Sequence, residues 1–526
     1  MSSVQEPVDV VVIGSGMGGA GFCYQLSARL PDLRIVCLER GDWLTPKQMP
    51  TTQPDFMRQA ISGWSSSPAA RQMAAAPAPS ADYPIDDADS AVKPLMWNGV
   101  GGSTIQWAAH FPRLHPSDFK TQSLDGVGDD WPFSYFDLEP YYDRNDDIIG
   151  VCGLAGDPAY PPKKGFRMPP LPIGRMGETA VRGFTKLGWH WWPVDAAINT
   201  VARNGRSACN HCGPCQQGCT IQAKATADQT YLPHALKKGV ELRTNAIVQK
   251  IVTEGSRATG VRYRDGNGDD CFQPAKVIVV AGNGIGTPRL LLASGIGGEM
   301  VGRCLMFHPV GYIRAICHDK QDGPAGPIGN CLYSHEFYET DLSRGFVRGL
   351  QLQVTRENPL LTQSTYAAPR WGRTAQMQLR DEFHHSFRVL VMTEDLPEAH
   401  NRVTLTDELA DDGLPGVKLS YQVSENTQRM LTFGMERAQE LLEAAGVKGF
   451  VRTDLAPGTG WHLLGTARMG VDVKSSVTNE NGRLHTTPNV IVADGSLFPT
   501  VGAVNPGSTI GALALKLADE LAEEWA

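Results

Sequence analysis

Val8-Asp9-Val10-Val11-Val12-Ile13-Gly14-Ser15-Gly16-Met17-Gly18-Gly19 decides the fold. Val8 to Gly14 is a short apolar, β-branched run that ends in glycine, as a buried parallel strand requires. Gly18 to Leu30 has helical spacing and stops at Pro31. Arg34–Leu38 (RIVCL) reads as a second strand, followed by Glu39. Together they form a βαβ unit. Gly14, Gly16 and Gly19 fit G-x-G-x-x-G where strand passes into helix. The first glycine permits the tight turn, the second lets backbone approach a pyrophosphate, and the third lets helix and strand pack closely. The helix start offers unpaired N–H groups and a positive dipole end to phosphates. Glu39 stands where it can accept hydrogen bonds from a ribose hydroxyl pair. This is a dinucleotide site.

Three further glycine-dense turns identify the dinucleotide. They are Asn98-Gly99-Val100-Gly101-Gly102-Ser103-Thr104, Ala281-Gly282-Asn283-Gly284-Ile285-Gly286, and Asp494-Gly495-Ser496. The last two follow strand-like runs. A nicotinamide enzyme rarely needs cofactor-facing segments spread so widely along a chain, whereas an extended FAD does.

The rest of the sequence bounds the protein class. At about 100–200 residues per domain, 526 residues make two or three domains. Apolar residues make up 41% and charged residues 20%, which suits folded domains. With 48 basic and 56 acidic residues the net charge is −8, which argues against a nucleic-acid binder or a membrane-surface protein. No apolar run approaches about 20 residues, so no transmembrane helix is expected. The segment before Val8 carries acids and no Lys or Arg, and reads as the approach to a first strand and not as a signal peptide. A cytoplasmic enzyme is expected, or one exported with a signal-bearing partner. Eleven cysteines include a group of four between Cys209 and Cys219. The seven others are scattered, as buried small hydrophobes would be.

Farther along, residues 45–90 are rich in Ala, Ser, Pro and Met and read as an excursion, lid or linker. Residues 150–175 promise little regular structure. Residues 240–281 read as a β-meander closed by VIVVAG at 277–282. Strand-like runs include Arg388–Thr393 and Arg402–Thr406. Helices are expected at Ser424–Ala445, stopped by Gly446, and at Ile510–Trp525.

The segments VVIGSGMGG, GVGGSTIQWAA (99–109), TPRLLLASGIG (287–297), GWHLLGTARMG (460–470) and VADGSLFPTVGAVNPGSTIGALALKLAD (492–519) resemble those of the glucose–methanol–choline (GMC) oxidoreductases. RLHPSDF (113–119), DWPFSYFDLEPYYDR (130–144) and the cysteine loop are similar to the bacterial gluconate, sorbitol and glucoside dehydrogenase branch. The resemblance implies an α/β fold: a discontinuous Rossmann-like FAD domain and a substrate domain with an antiparallel sheet flanked by helices. The FAD domain would comprise 1–45, 90–150, 240–305 and 456–526. Residues 46–89 would be the excursion or lid, and 151–239 with 306–455 the substrate domain, including the loop 209–219.

The resemblance also implies an alcohol oxidoreductase. An alcohol loses its hydroxyl proton to a base and its carbon-bound hydride to the flavin. The catalytic pair matches His462 and Asn505. Cofactor-binding residues are expected at Gly14, Gly16, Gly19, Glu39, Asn98, Gly101, Gly102, Ser103, Thr104, Val248, Ala281, Asp494, Gly495, Asn505 and Pro506. Pro506 and Gly507 precede the last helix, whose dipole could stabilise negative charge on the reduced flavin. Several family members attach FAD through a histidine in the turn after the double glycine. The matching residue here is Gln106, with His110 out of register, so non-covalent FAD is expected. His308, His485 and the pair His384–His385 carry no motif support and are expected to be structural or substrate-domain residues.

Cys209-x2-Cys212-x2-Cys215-x3-Cys219 has the spacing of an iron–sulfur loop. Structural cysteines, reduced or as disulfides, and a four-thiolate zinc site are the other readings. The aromatic run Trp189-His190-Trp191-Trp192, with Trp107, Trp461, Phe166 and Tyr231, could stack on sugars or aryl groups, or pack a core. A sugar, glycoside or polyol substrate is expected first, then an aryl-bearing alcohol or diol. The electron acceptor would be oxygen, a quinone or a redox protein, with room for a small or cytochrome partner subunit. Two other classes stay open: a FAD-containing cyanohydrin lyase and an electron-transfer subunit.

Overall fold

A computed structural model describes residues 3–49, 64–68, 71, 82–164, 167–322, 326–327, 329–357 and 372–526. Most of the expected excursion 46–89, and Phe166, lie outside the described residues. The strand Val8–Ile13 pairs in parallel with Ile35–Leu38 on one side and Asp270–Val280 on the other. Glu241–Arg243 extends the sheet beyond Ile35–Leu38, and Val490–Val492 pairs with the end of Asp270–Val280. Val10, Val11 and Val12 are fully buried, as a central parallel strand covered on both faces requires. The first half of Asp270–Val280 also closes an antiparallel meander with Ile247–Glu254 and Arg257–Arg264.

The register of this sheet positions the site. Ile13 stands opposite both Leu38 and Val280, and Val280 opposite Val492. The residues that follow these strands therefore share one edge: Gly14, Glu39, Ala281 and the approach to Asp494. That edge, at the carboxyl ends of parallel strands, is where such sheets bind nucleotides.

A second sheet is wholly antiparallel, in the order Gly449–Thr453, Val310–Ile316, Ser386–Thr393, Leu350–Arg356, Asn330–Ser334, Trp192–Pro193. Its two faces differ by the period-two rule. Ile313, Ala315, Leu350, Leu352, Val354, Phe387, Val389 and Val391 form one core with the helices Gly174–Leu187 and Glu425–Ala445. Their neighbours Val310, Tyr312, Gln353, Thr355, Arg388, Leu390 and Met392 line a cavity. A small sheet joins Arg402–Leu409, Pro415–Ser420 and Ile85–Asp86.

The first helix spans Met17–Arg29, one residue earlier than expected at each end. Ser424 caps Glu425–Ala445 by accepting from Thr427 N–H, and Gly446 ends it in left-handed backbone. The last helix begins at Gly507, three residues before Ile510. Ile510 N–H reaches Pro506 O at 2.9 Å, so the stretch read as a turn is already helical. Among the described residues no helix is long and apolar enough to cross a membrane.

Candidate active site

One cavity of about 390 Å³ runs along the parallel-sheet edge and under the polar face of the antiparallel sheet. Of the expected site residues, Gly14, Gly16, Glu39, Asn98, Gly102, Ser103, Thr104, Val248, Ala281, His462, Asp494, Gly495, Asn505 and Pro506 line it. Gly19 and Gly101 do not, and each acts one step back. A Cβ on Gly19 would stand 1.9 Å from Gly14 O, so this glycine lets helix and strand touch. Gly101 turns the backbone at φ +92° against Asp228.

The cradle fits FAD on its own chemistry. No side chain caps the helix at Gly16, so first-turn N–H groups remain for a phosphate. A Cβ on Gly16 would meet nothing nearer than Gly102 Cα at 3.8 Å, and one on Gly102 would lie 2.8 Å from Gly16 Cα. The first two glycine turns thus face each other across a gap that side chains would fill. Two buried polar atoms on the cavity wall, Trp97 Nε1 and Gln106 Oε1, have no partner among the described residues, and a polar ligand would satisfy them.

Glu39 accepts from Ser15 N–H at 2.9 Å, Ser15 O–H at 2.7 Å and Gly41 N–H at 3.0 Å, leaving lone pairs for a ribose. Asp494 accepts from Asn283 N–H at 2.8 Å and Thr287 O–H at 2.6 Å, so its carboxylate ties two of the turns together. Gln106 Nε2 donates to Trp64 O at 2.7 Å.

At the other end of the cavity, His462 Nε2 lies 3.3 Å from Asn505 Nδ2. Local pairing sets both positions. Met306 bridges Leu464 in antiparallel register, which places His308 opposite His462 two residues on. Asn505 immediately precedes the uncapped start of the last helix. His462 Nδ1 is 2.9 Å from His308 Nδ1, and His308 Nε2 is 2.9 Å from Gly502 O. Burial holds the His462 imidazole well below the usual histidine range, helped by His308 and His110. Burial takes His308 and His110 down to about 4, in His308 against the hydrogen bonds to Gly502 and Val501. Gln353 Nε2 donates to Asn505 Oδ1 at 3.1 Å.

Several sequence expectations change. His308, which carried no motif support, is a hydrogen-bond partner of His462. His110 lines the cavity. The run 189–192 does not: Trp189 and Trp191 pack on the helix-covered face of the second sheet, and Trp192 Nε1 donates to Leu154 O. Tyr231 is a fully buried core residue, whereas Trp107 and Trp461 do line the cavity. His485 bonds Ser476 and His385 bonds Asp381 O, both away from the site. The sequence held no signal for His308 or Gln353, because each arrives by long-range pairing, whereas Trp97 directly precedes the Asn98 turn and could have been read with it.

In the 209–219 loop Cys212 is exposed, and Cys209, Cys215 and Cys219 are half-buried. Among the described residues no three His, Cys, Asp or Glu side chains are grouped to hold a metal ion, so the spacing of an iron–sulfur loop is not matched by a converging ligand set. The loop is tied to the turn at residues 105–107. Buried Lys224 donates to Ile105 O, Trp107 O and Cys215 O at 2.8, 3.2 and 2.9 Å. Trp64 Nε1 donates to Gln216 O at 3.0 Å.

A nucleotide-binding sheet edge joined to a histidine–asparagine pair under an antiparallel sheet defines a flavin-dependent alcohol oxidoreductase. The chain belongs to the GMC oxidoreductase family, which binds FAD and acts on CH–OH groups. Family models described as GMC oxidoreductase match residues 173–310 and 397–514. The chain is 38% identical to a 2-methyl-1,2-propanediol dehydrogenase of Mycolicibacterium austroafricanum, covering 100% of this chain and 97% of that one. It is 27% identical to the fructose dehydrogenase large subunit of Gluconobacter japonicus, covering 99% of both. Its fold matches a pyridoxine 4-oxidase from Mesorbium loti with a TM-score of 0.70 at 20% identity, over 98% of this chain and 99% of that one.

Proposed function

We propose that the enzyme oxidises a hydroxyl of a sugar, glycoside or small polyol to the carbonyl, with His462 as the proton acceptor and FAD held non-covalently. The observation that carries this reading is the His462–Asn505 pair, 3.3 Å apart on the cavity wall. When bound, the flavin supplies the two-electron acceptor for the hydride. His462 Nε2 takes the hydroxyl proton as the C–H bond breaks, so one alcohol yields one carbonyl, one proton and one hydride. With an alcohol between them, Asn505 Nδ2–H donates to the same oxygen and holds it without adding charge. The uncapped start of the last helix directs its positive end toward this part of the cavity.

The polar side chains Gln353, Thr355 and Arg388 on the cavity face support a hydroxyl-rich substrate. So do the names of the diol and fructose dehydrogenases. Trp107 and Trp461 supply aromatic faces that would also accept an aryl-bearing alcohol. Gln106, a carboxamide held by Trp64 O, supports non-covalent attachment. The large-subunit relative supports a partner subunit that carries electrons onward. The ungrouped ligands and the bracing contacts of the 209–219 loop favour structural thiols over a cluster.

Anaerobic mixing with sugars, polyols and aryl alcohols tests the reading. Substrate should bleach the flavin, and His462→Ala should keep FAD but lose at least about 100-fold in reduction rate. Unchanged reduction in that variant removes His462 as the base. Acid precipitation should leave a yellow supernatant over a white pellet, and iron and acid-labile sulfide should be absent.

A further inference from the structure

Taking His462 as the proton acceptor proposed above, we propose that His308 is a positioning residue that fixes the tautomer of His462, so that Nε2 of His462 carries the lone pair. A backbone carbonyl only accepts hydrogen bonds. His308 Nε2 stands 2.9 Å from Gly502 O, so Nε2 carries a hydrogen. Burial keeps His308 neutral, which leaves its Nδ1 with a lone pair. His462 Nδ1 lies 2.9 Å from that lone pair and has to supply the hydrogen. A neutral His462 protonated at Nδ1 is bare at Nε2.

The opposite side of the site gives the same assignment. Gln353 Nε2 donates to Asn505 Oδ1 at 3.1 Å, which turns Asn505 Nδ2 toward His462 Nε2. An amide N–H at 3.3 Å calls for an acceptor, so Nε2 is again unprotonated. Two hydrogen-bond chains, one starting from a carbonyl and one from an amide, meet on a single tautomer.

The relay is anchored firmly. The Met306–Leu464 bridge sets His308 and His462 opposite each other. Gly502 holds its carbonyl in left-handed backbone, where a Cβ would stand 2.6 Å from Asp118 Oδ2. The groups acting electrostatically on His462 are His308 and His110, both buried and neutral, so no carboxylate competes for the Nδ1 hydrogen. The reversed tautomer would aim Nε2–H at the substrate and leave no base there. Once Nε2 takes the proton, the Nδ1–H bond to His308 stabilises the cation.

The test separates tautomer from turnover. In ¹⁵N-histidine-labelled holoenzyme, long-range ¹H–¹⁵N NMR should show His462 protonated at Nδ1 and bare at Nε2. His308→Leu should scramble that pattern and slow flavin reduction about 100-fold, with the flavin spectrum and substrate Kd unchanged. His308→Asn, whose Oδ1 replaces Nδ1 as acceptor, should restore the tautomer and bring the rate to within about tenfold of wild type. An Nε2–H signal for His462 in the wild-type holoenzyme overturns the inference, even where His462→Ala has supported the base. So does a His308→Leu protein that keeps both tautomer and rate.

Discussion

His462 sits among neutral imidazoles, and that setting determines when it can serve as the proposed base. Only the neutral form accepts a proton. Burial, with His308 and His110 beside it, lowers the His462 pKa well below 6.5. A lowered pKa extends the basic form toward acid, so the rate rises with pH through the shifted limb and is flat above it. Stopped-flow flavin reduction at saturating substrate should therefore be level from pH 6.5 upward, with its acid limb below 6.5. A limb at or above 6.5 would contradict the burial. Gln106 is the other informative position. Its Nε2 is committed to Trp64 O, and its free Oε1 faces the cavity as an acceptor, which a bond-forming histidine would not provide.

The glycine turn after Val8–Ile13 shows how one element divides its labour. A Cβ at Gly14 would meet Ala281 O at 2.4 Å, at Gly18 Ala493 O at 1.8 Å, and at Gly19 Gly14 O at 1.9 Å. These three glycines let backbones touch, and any side chain there pushes strands and helix apart. Gly16 alone opens toward space, with Gly102 Cα at 3.8 Å. Gly19→Ala should accumulate as insoluble or unfolded chain. Gly16→Ala should fold, with a normal circular dichroism spectrum, and bind FAD at least about tenfold more weakly by fluorescence titration. Equal FAD affinity in Gly16→Ala would mean that this glycine does not face the cofactor.

Between the antiparallel sheet and the helical segment 116–125, buried Arg348 acts as a staple. It bonds Glu394 at 3.0 Å and Asp125 at 3.0 Å, and it also pairs with Asp118. Glu394 follows the strand Ser386–Thr393, whereas Asp118 and Asp125 belong to a segment that packs under Gly502. Burial pushes the Glu394 carboxyl up to about 8, against the pull of Arg348. Arg348→Met would leave Asp118, Asp125 and Glu394 buried without the cation that they share. The variant should lose roughly 3–5 kcal/mol in denaturant unfolding. A loss under about 1 kcal/mol would mean that solvent reaches the cluster.

The first strand, its helix, the glycine turns and the approximate limits of the long helices were legible in the residues. Each depends on short-range rules: β-branched runs, glycine where a Cβ collides, and Ser424 and Gly446 as the start and stop of a helix. The resemblance carried His462 and Asn505, because they sit inside continuous segments. The partners of that pair were not legible. His308 reaches His462 through an antiparallel bridge between residues 306 and 464, and Gln353 reaches Asn505 from a different sheet. Of the two readings of the aromatic run 189–192, stacking on a substrate or packing a core, the residues could not choose, and Trp189 and Trp191 pack on the core. Cysteine spacing suggested a cluster, yet ligand convergence depends on how the loop folds against Lys224 and Trp64. Local sequence specifies backbone geometry and hydrogen-bonding capacity. Which donor meets which acceptor, and so which nitrogen of His462 is bare, is decided only when distant segments pack together.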